Sequence, residues 1–333
     1  MQPSLQEQQQ QQQAVNISNI STTPPVPVVS LEIQLTSVLL GLCCAVGLPG
    51  NAMVLNILWE KVHTGCFTLC VMLNLAISDL LTLLTLPLWI YTLLHGFSFG
   101  QVTCKLLSYM VYCSLYTSVL CVTLLCVQRY VQVLHPQSWS KLTASSRRIL
   151  VATVWVLGAV TSCHALVQRE VRLGEKDGLL HCLPRYRSVG EEVATLLVES
   201  LLLFVLPFSV LASLYVTLHR RVKQAVGAGH RRMKRLVISI IVVFFIFSIP
   251  VHLNNFLTIM AVSLGSPSLL RITKVTGGVT GAMTFLNSCV NPLLYAFSHR
   301  ALRRSSVVKL PSFGPQANSA LEASSSGNTL CKQ

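Results

Sequence analysis

Charge is what this sequence has least of. Only 11% of its 333 residues are Asp, Glu, Lys or Arg, while 52% are hydrophobic. That balance excludes an ordinary soluble domain. Acids are scarcer than bases, 11 against 25, and residues 1–34 hold no Lys or Arg at all. Among the 12 cysteines no C-x-x-C pair and no Cys/His cluster has metal-ligand spacing, so no structural metal site is read from them. No nucleophile–base constellation supports an enzyme. No lysine lies at membrane depth in the last apolar run, because Lys274 is at its edge, and this removes Schiff-base retinal chemistry. No half of the chain repeats the other, which argues against a transporter. No lone apolar stretch follows a charged start, so no cleavable signal peptide is expected.

What the chain does have is length in apolar runs. Crossing a bilayer takes about 20 apolar residues. Seven runs qualify, over roughly 35–59, 67–94, 103–134, 148–168, 191–218, 234–262 and 272–297. They are apolar nearly all round rather than on one stripe, unlike the helices of a soluble bundle. Backbone groups in lipid must satisfy each other, so these runs are helices. The expected fold is an all-α membrane protein, a seven-transmembrane helix bundle. The expected divisions are a disordered extracellular tail over 1–34, the bundle over 35–298, a short amphipathic cytoplasmic helix over 299–310, and a disordered cytoplasmic tail over 311–333.

The placement of charge gives the orientation. With the N-terminus outside, 17 of the 25 cations fall on cytoplasmic segments and 8 outside. Asn16 and Asn19 each head an N-x-Ser glycosylation sequon, which agrees with an extracellular N-terminus. The basic balance therefore suits anionic inner-leaflet lipid and an acidic partner rather than nucleic acid. The expected location is the plasma membrane, with the C-terminus cytoplasmic.

Most cysteines lie inside the apolar runs and act as small apolar residues. Cys104 and Cys182 differ. One sits at the outer start of the third run and the other in the long outer segment 169–190. Both face an oxidising compartment, and a disulfide between them is expected, a free Cys182 thiol being the alternative. "LCKQ" at the C-terminus is not a prenylation ending. The Ser-rich tail offers phosphorylation sites for an arrestin, or is a plain solvated linker.

An ionisable group within a membrane run points to function. Asp79 lies mid-run, with Asn51, Ser118, Asn287 and Asn291 at comparable depth. A carboxylate among neutral oxygens suits an allosteric sodium ion; a protonated Asp79 that only fixes packing is the equal alternative. No other cofactor is expected. Nearer the outside lie Tyr116, Arg169, Glu199, His252 and Asn255, with Arg271 and Lys274 at the mouth of the seventh run. They outline an apolar pocket with a few polar groups and a cation. Local hydrogen bonding within the bundle is the plainer reading for His252 and Asn255. Pro207, Pro250 and Pro292 interrupt three runs.

These landmarks recur in a known order. "GN" at 50–51, "LNLAISDL" at 73–80, Cys104 with Cys182, "QRY" at 128–130, Trp155, Pro207 followed by Tyr215, Pro250, and "NPLLY" at 291–295 resemble the rhodopsin-like G-protein-coupled receptors. "AVGLPGN" at 45–51, "HCLPRYRS" at 181–188, and Arg169 with Glu199 and Asn255 are similar to the leukotriene B4 receptors of the chemoattractant branch. The resemblance implies a cell-surface receptor for an anionic lipid, leukotriene B4, acting through a heterotrimeric G protein of inhibitory type. It implies that Arg169 holds the ligand's polar end, while Tyr116, Glu199 and Asn255 meet its hydroxyls. It implies that Gln128, Arg129, Tyr130, Tyr215, Pro250, Asn291, Pro292 and Tyr295 serve activation and coupling. Arg129 would be shielded in a closed bundle and exposed when the sixth helix moves. Ser108, Gln128 and Ser248 depart from the pattern: a histidine, an acid and a tryptophan are usual there. With no acid at 128, a less firmly held resting state is expected, and Phe244, Phe247 and Phe285 would carry the coupling that the tryptophan usually serves. A receptor for another eicosanoid or a chemoattractant peptide, and a non-signalling decoy, are the alternatives.

Overall fold

The computed structural model describes residues 31–61, 66–174, 178–222 and 228–292. The two sequons, most of the N-terminal tail, Tyr295, the expected amphipathic helix and the C-terminal tail lie outside the described residues. So does the side chain of Arg129.

Ten helices and one two-stranded sheet are described. They are α1 (Leu31–Lys61), α2 (Phe67–His95), α3 (Gly100–Leu134), α4 (Pro136–Ser140), α5 (Ala144–Thr161), α6 (Cys163–Gln168), β1 (Arg169–Leu173), β2 (Leu180–Pro184), α7 (Val189–Ser200), α8 (Leu206–Val222), α9 (Ala228–Ser263) and α10 (Pro267–Thr284). The first three crossings are α1, α2 and α3. The fourth is α5 with α6, the fifth α7 with α8, and the sixth α9. The seventh is α10, which resumes as helix over 286–292 after an irregular turn at Phe285.

Six crossings are long and apolar enough to span a membrane by composition. The seventh is more polar, because Thr273, Thr276, Thr280 and Thr284 interleave with Gly277, Gly278 and Gly281. Each of these threonine hydroxyls donates to a carbonyl three or four residues back, so the helix satisfies them itself.

The helices overrun the expected apolar runs at several ends, since hydrogen bonding continues past the hydrocarbon edge. Caps fix two of the starts. Thr143 Oγ1 accepts from Ser146 N at 3.2 Å, and Ser188 Oγ accepts from Glu191 N at 3.2 Å. Three prolines sit inside unbroken helices, Pro49 in α1, Pro87 in α2 and Pro250 in α9. Each of these prolines lacks the N–H that its helix position would donate, yet none ends its helix. Pro207 is accommodated differently. A wide π-turn over Leu201–Val205 precedes it, and absorbs the hydrogen bond that a proline cannot donate.

The third crossing is the hub, packing against α2, α5, α6 and α8, while α1 closes the ring between α2 and α10. Close approach is bought by small residues. A Cβ at Gly158 of α5 would collide with Thr117 Oγ1 and come within 3.1 Å of the Cys113 carbonyl. The lipid-facing stripe is legible on α1, where Leu31, Leu35, Val38, Leu42 and Val46 recur at helical spacing and are exposed.

One stretch departs from the all-helical expectation. Within segment 169–190, β1 and β2 pair as an antiparallel hairpin, with Arg169 opposite Pro184 and Val171 opposite Cys182. The disulfide from Cys182 to Cys104 anchors β2 to the start of α3.

Candidate functional site

Beneath the hairpin lies a cavity of about 640 Å³, lined from α1, α2, α3, β1, β2, the fifth crossing, α9 and the seventh crossing. That volume suits a single small-molecule ligand. Its walls are largely apolar, including Leu40, Leu86, Leu93, Val111, Leu115, Leu196, Leu203 and Phe244. Its polar groups gather at the hairpin end and at the floor.

The hairpin end is built around Arg169. The strand begins at this residue, with φ −82° and ψ 131°, directly after α6. Its guanidinium donates to Tyr112 Oη at 3.0 Å and lies 5.6 Å over the same ring. Its backbone carbonyl accepts from Gln101 Nε2 at 2.8 Å, which ties β1 to α3. Beside it Glu199 faces His164 Nε2 at 3.1 Å. The His164 ring meets Tyr112 edge-on, with centroids 4.7 Å apart. Tyr186 lies just after the hairpin. Burial first, and then the Glu199 charge, pushes its phenol above the usual tyrosine range, so it is a neutral donor at the wall. Glu192 and Lys274 line the same end.

The expected ligand residues distribute as follows. Ser108, Arg169, Glu199, His252, Asn255 and Lys274 all line the cavity. Tyr116 does not: it is 3% exposed and stands behind Tyr112, one turn nearer the hairpin, with ring centroids 6.5 Å apart. Tyr112 takes the place expected of Tyr116, because the helix phase turns residue 112 inward at the height of Arg169. His252 and Asn255 also carry local bonds, to Ser200 Oγ at 3.3 and 3.5 Å. Tyr112, His164 and Tyr186 escaped the sequence reading. The signal for His164 was present, as an imidazole inside the fourth apolar run.

The floor of the cavity holds a polar cluster. Asp79 is fully buried and accepts from Ser118 Oγ at 2.8 Å and Asn291 Nδ2 at 2.6 Å. Two of its expected companions turn elsewhere. Asn51 Nδ2 donates to the carbonyls of Gly47 and Ser288. Asn287 Nδ2 donates to Ser248 Oγ at 3.0 Å. The Asp79 carboxylate with the hydroxyls of Ser118 and Ser288 is a set of oxygens that fits a hard monovalent cation, although it is not the five-residue set expected. Ser118, Ser288 and Asn291 line the cavity, so the floor is continuous with the hairpin-end pocket.

At the opposite end of α3, Gln128 is buried and its amide donates to Thr68 Oγ1 of α2 at 2.5 Å. The Tyr130 ring lies 6.1 Å from His135. Tyr215 lies on α8 and Pro250 on α9. Pro292 packs where a Cβ on Gly50 would come within 3.1 Å of it. Trp155 Nε1 donates to Asn74 Oδ1 at 2.9 Å, which joins the fourth crossing to the second.

Comparison with known proteins agrees with this architecture. Residues 50–295 match the family described as 7 transmembrane receptor (rhodopsin family). The chain is 34% identical to leukotriene B4 receptor 1 of Homo sapiens over 321 residues, covering 93% of this chain and 91% of that one. It is 35% identical to leukotriene B4 receptor 1 of Rattus norvegicus, covering 89% and 86%. It is 29% identical to the type-1 angiotensin II receptor of Homo sapiens, covering 86% and 83%.

Proposed function

Because the chain belongs to the rhodopsin family of seven-transmembrane receptors, and is a multi-pass plasma-membrane receptor rather than an enzyme, we propose that it binds an anionic lipid of the leukotriene B4 type and passes that signal to an inhibitory-type heterotrimeric G protein. One observation carries the ligand class. Arg169 places a guanidinium at the polar end of a cavity whose remaining walls are mainly hydrocarbon. A cation held by a neutral phenol is available to a carboxylate, and apolar walls suit a long unsaturated chain. Glu199, Asn255 and Tyr186 are polar groups placed to discriminate hydroxyl positions, since a buried group left unpaired by the wrong isomer is costly. The similarity to leukotriene B4 receptors supports the same reading.

The hairpin end faces outward in this proposal, following the distribution of basic residues. Ligand binding favours one of two bundle states by its differential affinity. The far end, with Arg129 on α3 and the basic segment 220–235, receives the G protein. A sodium ion at Asp79 is proposed as the modulator of the resting state.

Similarity to angiotensin receptors favours a second reading, a peptide agonist that reaches the same cavity. Inhibition of cyclic AMP formation separates the two. Cells expressing this chain are titrated with leukotriene B4, with an isomer altered at one hydroxyl, and with angiotensin II. A potent response to leukotriene B4 alone, lost in Arg169→Ala at equal surface expression, supports the proposal. A response to the peptide alone overturns it.

A further inference from the structure

Glu199 is a puzzle in a pocket proposed for an anion. It lines the cavity and stands within electrostatic reach of Arg169. A bare carboxylate there would repel the ligand's own carboxylate and cancel the arginine.

The hydrogen bonds of His164 resolve this. Its Nδ1 lies 2.9 Å from the Thr161 carbonyl, and a carbonyl can only accept, so Nδ1 carries a hydrogen. Its Nε2 lies 3.1 Å from Glu199 Oε1. With Nδ1 already protonated, that contact is a hydrogen bond only if the pair holds one further proton. Imidazole is the stronger base of the two, so the proton belongs on Nε2. The other charged or titratable groups facing His164 are Tyr112, whose ring meets it edge-on, and Arg169. Neither competes for the proton, since a phenol is neutral at physiological pH and a guanidinium is already charged.

Resting on the anionic-ligand reading above, we infer that His164 is a specificity-determining residue: as an imidazolium it neutralises Glu199, leaving Arg169 as the uncompensated charge that admits an anion. Glu199 keeps its lone pairs for ligand hydroxyls without presenting net charge. His164 acts through Glu199 and is a positioning residue rather than a ligand contact; it is absent from the cavity lining.

A double-mutant cycle and one spectrum test this. Full-length receptor in nanodiscs is assayed with radiolabelled leukotriene B4 and with its methyl ester. His164→Gln lowers affinity for the acid at least about tenfold, because it leaves a buried charge unpaired. It changes ester binding far less. In the Glu199→Gln background the same His164→Gln change costs less than about twofold, since no charge remains to neutralise. Equal losses for acid and ester, or an undiminished loss in the Glu199→Gln background, reduce His164 to a packing role and overturn the inference. Nitrogen-15 NMR of ligand-free receptor, with the His164 signal assigned by its loss in His164→Gln, reads the charge without any ligand. Two protonated ring nitrogens at neutral pH, reverting to a neutral tautomer in Glu199→Gln, are expected. A neutral imidazole in the unsubstituted receptor overturns the inference. Absence of leukotriene B4 binding with a charged His164 retains the neutralised pair and discards the ligand assignment instead.

Discussion

Asn287 donates its side-chain amide to the Ser248 hydroxyl at 3.0 Å, clamping the seventh crossing to the sixth at the floor of the cavity. Ser248 is 2% exposed, and both partners line the cavity. A bulky ring is the usual occupant of this position by resemblance, and here a small hydroxyl takes its place. Phe244 and Phe285 line the same cavity and supply the aromatic contacts. Ser248→Ala removes the partner of a half-buried amide, a loss of roughly 1 kcal/mol. The expected outcome is a lower melting temperature in detergent together with raised basal inhibition of cyclic AMP formation. Ser248→Thr keeps the hydroxyl and should restore both. An unchanged melting curve in Ser248→Ala would remove the clamp from the account.

The phase of α3 makes a second prediction. Tyr112 holds Arg169 and lines the cavity, whereas Tyr116 stands behind it. Tyr112→Phe removes the only side-chain acceptor described for the guanidinium, so Arg169 loses its orientation. Affinity for leukotriene B4 should fall at least about tenfold, as expected for one hydrogen bond to a charged group at roughly 1.5–3 kcal/mol. Tyr116→Phe should change affinity less than about twofold. Saturation binding on matched membranes decides between them. The reverse ranking would mean that the ligand reaches deeper along α3 than the cavity indicates.

This comparison also shows what the residues alone could reveal. The seven crossings were legible because lipid demands long apolar helices, and that demand is written in composition. Asp79, Arg169 and Glu199 were legible because an ionisable group in an apolar run stands out. Tyr112 was not, since choosing it over Tyr116 needs the rotation of α3 against β1, which only packing fixes. His164 was passed over although it stood in an apolar run, because its meaning depends on meeting Glu199 from another helix, 35 positions away. The strand pairing within 169–190 was not legible, although its disulfide anchor was anticipated from the placement of two cysteines.

Gln128 gives a third test. A glutamine replaces the acid that by resemblance precedes the arginine, and its amide is spent on Thr68 Oγ1 of α2. The bond joins the second and third crossings near the coupling end, yet carries no charge. A neutral bond is roughly half as strong as a charge-assisted one. Gln128→Asp supplies a carboxylate that can hold Arg129, and basal signalling should fall at equal surface expression. Thr68→Val removes the partner of a buried amide and should destabilise the receptor by about 1–3 kcal/mol. Basal activity indifferent to Gln128→Asp would show that the resting state is held elsewhere.

Asp79 offers the test with the sharpest alternatives. Its two oxygens accept from Ser118 and Asn291, and nothing of it reaches solvent. Two readings share this geometry, a carboxylate that recruits sodium and a carboxylic acid that merely joins the second, third and seventh crossings. Agonist affinity measured in sodium chloride against choline chloride, at one ionic strength, separates them. In the sodium reading the unsubstituted receptor loses affinity and gains thermal stability as sodium rises, and Asp79→Asn abolishes both effects. Asp79→Asn also turns an acceptor into a group facing the Asn291 donor. The reciprocal variant D79N/N291D restores a donor–acceptor pair across the same gap. If that double variant recovers thermal stability and the unsubstituted receptor shows no sodium dependence, the packing reading stands. If stability recovers but the sodium effect stays lost, the carboxylate must sit on the second crossing, where Ser118 can share the ion.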